Sequence, residues 1–345
     1  MSERPERIAT EAELDEVLTT PSPELVEAVR DLSSPLVLLG AGGKMGPSLA
    51  LLARRAADAA GIPLSIVAAS RFRDAAGRDW LESHGIGTQK CDVLNLDDLE
   101  RLPDAANVLY LVGQKFGTQQ DPSSTWATNT LAPALSGERY RGSRIVALST
   151  GNVYPLARVA AGGSVESDPL TPLGEYANAA VGRERIFEHC SRRDGTPVVL
   201  LRLTYALDLR YGVVADIAGK VHRGEPIPLA TGHFTGVWQG DANELILRAF
   251  PLAASPPAVF NLSGDQMLSV RDVAIRLGEL LDRAPVFQGT ESETAVVSNT
   301  SRLAAALGRP RTPIETVLRW TADWVRRGGR SLHRPTHFEV RDGAY

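Results

Sequence analysis

The chain has 345 residues, 43% of them apolar, enough for a large unit plus a smaller lobe with ordinary cores, and this excludes a disordered chain. A formal net charge of −4 and a pI ≈ 5.9 provide no basic excess for phosphodiester backbones, so no nucleic-acid partner is expected. Cys91 and Cys190 stand far apart without metal-ligand spacing, the N-terminus is charged, and no apolar run nears the roughly 20 residues of a membrane span; the expectation is a cytoplasmic protein with no disulfide framework, metal or membrane contact.

Residues 1–34 read as a helical extension packed on the outside, broken at "TTPSP". From Pro35 onward, "PLVLLG", "PLSIVAAS", "NVLYLVG", "SRIVALST" and "PVVLLRLTYA" are short apolar runs of strand type. Between them, "GPSLALLARRAADAA", "LDDLERL", "STWATNTLAPALSG" and "GEYANAAVGRERIF" repeat apolar residues at helical spacing. Such alternation implies βαβ units and an α/β fold: a Rossmann-type doubly wound parallel sheet with a smaller C-terminal substrate lobe. The boundaries expected are 35–206 plus 237–263 for the sheet domain and 207–236 plus 264–345 for the lobe.

The first strand runs into "GAGGKMGPSLALL", with Gly40, Gly43 and Gly46 spaced Gly-x-x-Gly-x-x-Gly before Pro47. A strand turning tightly into a helix leaves amide groups unpaired at the helix start, and glycines let a pyrophosphate approach them. Lys44 is followed by Met45, not Ser or Thr, so an ATPase-type phosphate loop does not fit. After the second strand, "AASRFR" places neutral Ser70 where an acidic residue would favour NAD, and Arg71 and Arg73, aided by Lys44, suit a 2′-phosphate. NADP is therefore the expected cofactor, with NAD as the alternative. Asp92 in "KCDVLN" is placed to accept from an adenine amino group or to cap a helix.

With Asn129 in "WATNTLAP", "ALSTGNVYP" on the fifth strand and Tyr176, these motifs resemble the extended short-chain dehydrogenase/reductase superfamily, the epimerase/dehydratase-like group, over roughly residues 35–328. The resemblance assigns Thr150 to polarise the substrate oxygen, Tyr176 to carry the proton, and Met45, Val93, Val112 and Gly113 to the cofactor cleft. It also assigns a lysine one turn after the tyrosine, and here Ala180 stands in its place, while Glu184 keeps the helix in register. A free tyrosine is ionised to about one part in a thousand at pH 7. A cation ~4 Å away at an effective dielectric near 20 contributes about 4 kcal/mol. Lys115 in "LVGQKFGT" is the candidate replacement, because the C-terminal end of the fourth strand borders the cleft. Arg183 is read as too far along the helix, making a surface or interdomain contact.

The resemblance further implies arginines before "VWQGD" and "NTSRL" to grip a diphosphate; this chain has none there and carries Glu291 and Glu293 in the second stretch. A small sugar-like or hydroxy-carbonyl substrate is expected, not a nucleotide sugar, with Ser149, Asn152, Tyr205, Arg210, Tyr211, His233 and Trp238 as candidate pocket residues. The implied activity is that of an NAD(P)-dependent oxidoreductase or epimerase, and the resemblance implies a homodimer paired through helices flanking the site. The competing reading, resting on Ala180, is a catalytically weak dinucleotide-binding sensor or scaffold.

Overall fold

The computed structural model describes residues 4–73, 75–333 and 336–344. In chain order the elements are α1 (Glu11–Thr19), α2 (Pro23–Ala28), β1 (Leu36–Leu39), α3 (Gly46–Ala60), β2 (Ile66–Ser70), α4 (Ala75–Ser83), β3 (Gly87–Lys90) and α5 (Leu96–Glu100). They continue with β4 (Asn107–Tyr110), α6 (Pro122–Trp126), a π turn over Ala127–Leu131, α7 (Ala132–Arg139), β5 (Arg144–Thr150), β6 (Ala157–Arg158), α8 (Glu175–Asp194), β7 (Val198–Leu203) and β8 (Ala206–Leu207). The rest is α9 (Val213–Arg223), β9 (Pro226–Pro228), β10 (His233–Thr235), β11 (Val237–Trp238), α10 (Gln239–Arg248), β12 (Ala258–Leu262), β13 (Met267–Ser269), α11 (Val270–Leu281), β14 (Val286–Gln288), β15 (Thr294–Ala295), α12 (Ser301–Leu307) and α13 (Ile314–Arg326).

Seven strands form one parallel sheet in the order β12-β7-β5-β4-β1-β2-β3. Side chains of a strand alternate between faces, so continuous apolar strands must be covered on both sides. In β1, Leu36 and Leu38 enter a core with α2, α3 and α10, whereas Val37 and Leu39 enter one with α5, α7 and α8. The chain order reverses between β1 and β4, and ligands of open parallel sheets bind outside the strand ends at such a switch.

A third core joins α9, α11 and α13 through Ile217, Leu277 and Trp320. Ile8, Leu14 and Leu18 are fully buried in this same core. The N-terminal segment is thus tied into this core through one face of α1, because an amphipathic helix this short gains its stability from the face it buries.

Candidate functional site

The β1–α3 turn opens with Gly40 at φ +85°, a conformation that disfavours a side chain. A Cβ there would also stand 3.0 Å from the backbone N of Val112, so the turn adjoins the loop after β4. Gly42 and Gly43 are exposed, and a Cβ on Gly43 would meet only the Gly40 carbonyl, at 3.4 Å. A Cβ on Gly46 would run into the Ala41 backbone, which is why α3 can start so close beneath the turn. Met45 packs half-buried on the core below.

Around this turn the expected cofactor residues take different places. The Ser70 hydroxyl lies against Gly42, 2.6 Å from where a Cβ would be, and Arg71 and Arg73 are exposed after β2. Asp92 accepts from Leu94 N at 3.1 Å, turning the chain before Asn95 caps α5, so Asp92 is not the cap. Val93 is buried and Val112 half-buried in the sheet core. Lys44 does not join the arginines after β2. Its Nζ donates to the Ala206 carbonyl at 2.8 Å and sits 4.3 Å from the Tyr211 ring centroid, toward the lobe and not beside Arg71. Burial lowers its pKa to about 8, because desolvation outweighs the attraction of Asp208.

Thr150, 9% exposed, ends β5, and its hydroxyl accepts from Asn152 N at 3.2 Å. Tyr176, 8% exposed, lies in the first turn of α8, entered through Gly174 at φ +84°. Asn152, in the short turn that follows Thr150, is half-buried. Ser149 faces the other way, as strand alternation requires, and donates to Glu184 at 2.5 Å inside the protein; it is no substrate group. Ala180 is fully buried against Val153 and Tyr154.

Arg183 overturns the expectation of a surface contact. It is 4% exposed; its guanidinium donates to the Leu148 carbonyl at 2.8 Å and to Asn129 Oδ1, and its Nη2 lies 2.6 Å from where a Cβ on Gly113 would be. Positions 176, 180 and 183 share one helix face, and side chains lean toward the helix N-terminus, so this arginine reaches back toward the strand ends. That spacing was readable in the sequence. Lys115 meets the C-terminal tail instead, its Nζ donating to the Thr336 carbonyl at 3.2 Å, and burial brings its pKa down to about 8.

The tail itself was not foreseen. Thr336 bonds Asp216 on α9, the Glu339 carbonyl accepts from Thr231, Arg341 donates to Ala230 and Thr294 carbonyls, and Gly343 lies against Leu173 and Gly174 at the start of α8. Residues 336–344 therefore tie the lobe to the helix that carries Tyr176. A cavity of ≈ 350 Å³ opens there, between Thr118, Trp126, Glu175, Asn178 and the tail's Asp342 and Gly343. A cavity of ≈ 400 Å³ lies on the other face of α8, where Glu184, Glu188, Arg185, Arg192 and Arg202 pair among themselves.

Several substrate candidates are engaged elsewhere. Arg210 is held by Asp208 at 3.0 Å and by Glu11 and Asp15 of α1 at 3.5 Å, and Trp238 is buried with its ring 5.3 Å from that of Trp320. Neither is a pocket residue. Tyr205, at φ +47°, stacks edge-on to Phe234, and His233 is half-buried on β10. Glu291 is paired with Arg271 at 2.7 Å, which halves the expected acidic patch and leaves Glu293 exposed.

Residues 36–236, more than half of the chain, match the NAD dependent epimerase/dehydratase family. The chain belongs to that family. Its members are enzymes that use a nicotinamide dinucleotide. This epimerase/dehydratase-family chain is similar in structure to the dTDP-glucose 4,6-dehydratase of Bacillus anthracis in complex with NAD, with TM-score 0.72, 15% identity, and 86% of this chain and 97% of that one covered. It is also similar to the UDP-glucose 4-epimerase of Thermotoga maritima with UDP-glucose (0.70, 18%, 85% and 99%) and that of Thermus thermophilus with NAD (0.68, 20%, 85% and 99%). These neighbours act on nucleotide sugars, against the expectation of a smaller substrate; at such identities the likeness carries the fold. No curated protein matches the sequence. Among the described residues no helix is long and apolar enough to cross a membrane, and no group of three or more His, Cys, Asp or Glu could hold a metal.

The exposed Gly42–Gly43 turn, adjoining the loop that Arg183 underlies, fits a dinucleotide. Gly40, Gly43, Met45, Gly46, Ser70, Val112 and Gly113 are the residues at hand to hold it.

Proposed function

We propose that the chain is an NAD(P)-dependent oxidoreductase or epimerase acting on a small sugar-like hydroxy-carbonyl substrate. The observation that carries this reading is the position of Thr150 and Tyr176, both largely buried, at the ends of β5 and α8, at the sheet end where the open glycine turn lies. The β1–α3 turn and the β4 loop would hold the dinucleotide, which would supply hydride-transfer chemistry at the carbon whose hydroxyl becomes a carbonyl. Thr150 donates its hydroxyl to that substrate oxygen, and Tyr176 takes the departing proton or returns it in the reverse direction.

NADP is the preferred dinucleotide in this reading, supported by the exposed Arg71 and Arg73 beside Ser70. Lys44 no longer contributes to that preference. The small substrate is supported by Glu293, an exposed carboxylate in the stretch where the resemblance expects a diphosphate-binding arginine; Arg341, which reaches the Ala230 and Thr294 carbonyls of both stretches, speaks for a diphosphate instead. A nucleotide-sugar substrate is the second reading, favoured by the solved neighbours. A cytoplasmic homodimer completes the proposal, with exposed Trp126 and Leu131 next to α8 as the apolar surface available for pairing.

Fluorescence titration with NADPH and NADH, followed by turnover on free sugars, aldonic acids and UDP-sugars, tests the proposal. Binding with turnover of a free sugar or sugar acid is expected. Turnover of UDP-sugars alone would replace the small-substrate reading. Tight binding without turnover on any compound would leave a dinucleotide sensor.

A further inference from the structure

Most buried arginines are matched by a carboxylate, because an uncompensated charge away from water is costly. Arg183 is not. Among the described residues no Asp or Glu lies within 4.0 Å of it, its Nη1 and Nη2 donate to neutral oxygens of Leu148 and Asn129, and its Nε is buried without a partner. The position adds meaning: Leu148 is two residues before Thr150, and Gly113 closes the β4 loop beside the glycine turn. Ala180, one turn nearer Tyr176, contributes no charge.

We infer that Arg183 is the positioning cation of the dinucleotide cleft, its charge taking over from the missing lysine at position 180 and its natural counter-charge being the bound anionic dinucleotide. The inference rests on the dinucleotide reading above. The guanidinium reaches this place from one turn farther along α8 because Gly113 has no side chain; a Cβ there would displace Nη2. It also fixes Asn129, which in turn holds the Gln114 carbonyl at 3.1 Å and so the shape of the β4 loop. In a poorly solvated cleft a fixed charge keeps its effect over several ångströms, so direct contact with the ligand is not required.

The test is the NADPH and NADH dissociation constants, measured by fluorescence at low and high salt, for the wild type, Arg183→Met, Arg183→Lys and Gly113→Ala, with melting temperatures recorded alongside. The expected result is binding at least tenfold weaker in Arg183→Met, within about threefold of wild type in Arg183→Lys, intermediate in Gly113→Ala, and a smaller salt dependence in the Met variant. A structural role alone would lower the melting temperatures of the Met and Lys variants alike and leave the affinities of the folded proteins equal; that result would overturn the inference while leaving the dinucleotide reading intact. A wild type that binds neither dinucleotide would overturn both.

Discussion

Arg183, on α8, and Arg202, on β7 beside it, are both 4% exposed, yet their surroundings differ. Arg202 on β7 has a full counter-charge: Glu184 at 2.7 Å, with the Tyr154 hydroxyl at 2.6 Å and the Glu166 carbonyl at 3.1 Å completing its bonds. Ser149 donates its hydroxyl hydrogen bond to the same carboxylate, and the Tyr154 hydroxyl donates to Asn261 Oδ1 at 2.8 Å. Arg183, whose neighbour in sequence is that very glutamate, has only neutral acceptors. A helix presents consecutive residues about 100° apart, so one step in sequence separates a closed structural pair from an open cation at the strand ends. The first guanidinium holds the fold together. The second stores charge that the fold does not use.

This contrast can be broken from the structural side first. Glu184→Gln strands Arg202 without its anion and is expected to cost about 3–5 kcal/mol, read as a large fall in melting temperature. Replacing both partners by methionine, Glu184→Met with Arg202→Met, should recover most of that loss, since an apolar pair is often neutral relative to a buried ion pair. Failure of the double variant to recover would mean that the network with Tyr154 and Asn261, more than the charge pair, carries the stability. Arg183→Met, by contrast, should cost about 1–2 kcal/mol, less than Glu184→Gln, because it removes an unpaired charge but leaves the Leu148 and Asn129 oxygens without their donor. A loss as large as that of Glu184→Gln would make the two arginines equivalent and erase the distinction.

Neighbours on β5 sharpen the same comparison. Ser149→Ala is expected to cost about 1 kcal/mol of stability through its lost bond to Glu184, with turnover unchanged. Thr150→Ala should cost about 1 kcal/mol through its lost bond from Asn152 N and lower kcat by roughly 100-fold, a size typical of a lost oxygen-polarising donor. Equal kinetic effects of the two substitutions would sink the assignment of opposite faces.

The smallest expected effect concerns Lys44, whose pKa is lowered by burial to about 8. The unfolded chain holds that proton to about 10.5, so the desolvation cost is fully present below pH 8 and fades as pH rises through the window from 8 to 10.5. Relative to Lys44→Met, the wild type should gain about 1 kcal/mol between pH 7 and pH 10 after allowance for partial exposure, as followed by denaturant unfolding. A gap that stays constant across this range would remove the buried-lysine account.

Legibility followed the range of the interactions. The alternation of strands and helices, the glycine turn and the places of Thr150 and Tyr176 at the end of the fifth strand and the start of its following helix were readable because each depends on periodicity or spacing within a few residues. Residues of the lobe were not. Arg210 is captured by Glu11 and Asp15 from the far end of the chain, Trp238 by Trp320, and Lys44 by the Ala206 carbonyl, and no local pattern marks such partners. The tail's bridge from Asp216 to Gly174 is of the same kind. Arg183 is intermediate: its spacing from Tyr176 puts it on the same helix face, but its axial distance is offset by a long side chain that leans back along the helix, which spacing alone does not show.

The central claim, that the β1–α3 turn grips a dinucleotide, is tested most directly by thermal unfolding of the wild type and of Gly43→Asp with and without 1 mM NADPH or NADH, a concentration of roughly 100 times a ~10 μM Kd. Gly43 is exposed with space around a Cβ, so the variant should fold with a stability within about 0.5 kcal/mol of the wild type. The account predicts that at least one dinucleotide stabilises the wild type by about 2.7 kcal/mol and leaves Gly43→Asp unmoved. A wild type that neither dinucleotide stabilises, or a variant stabilised equally, would contradict it.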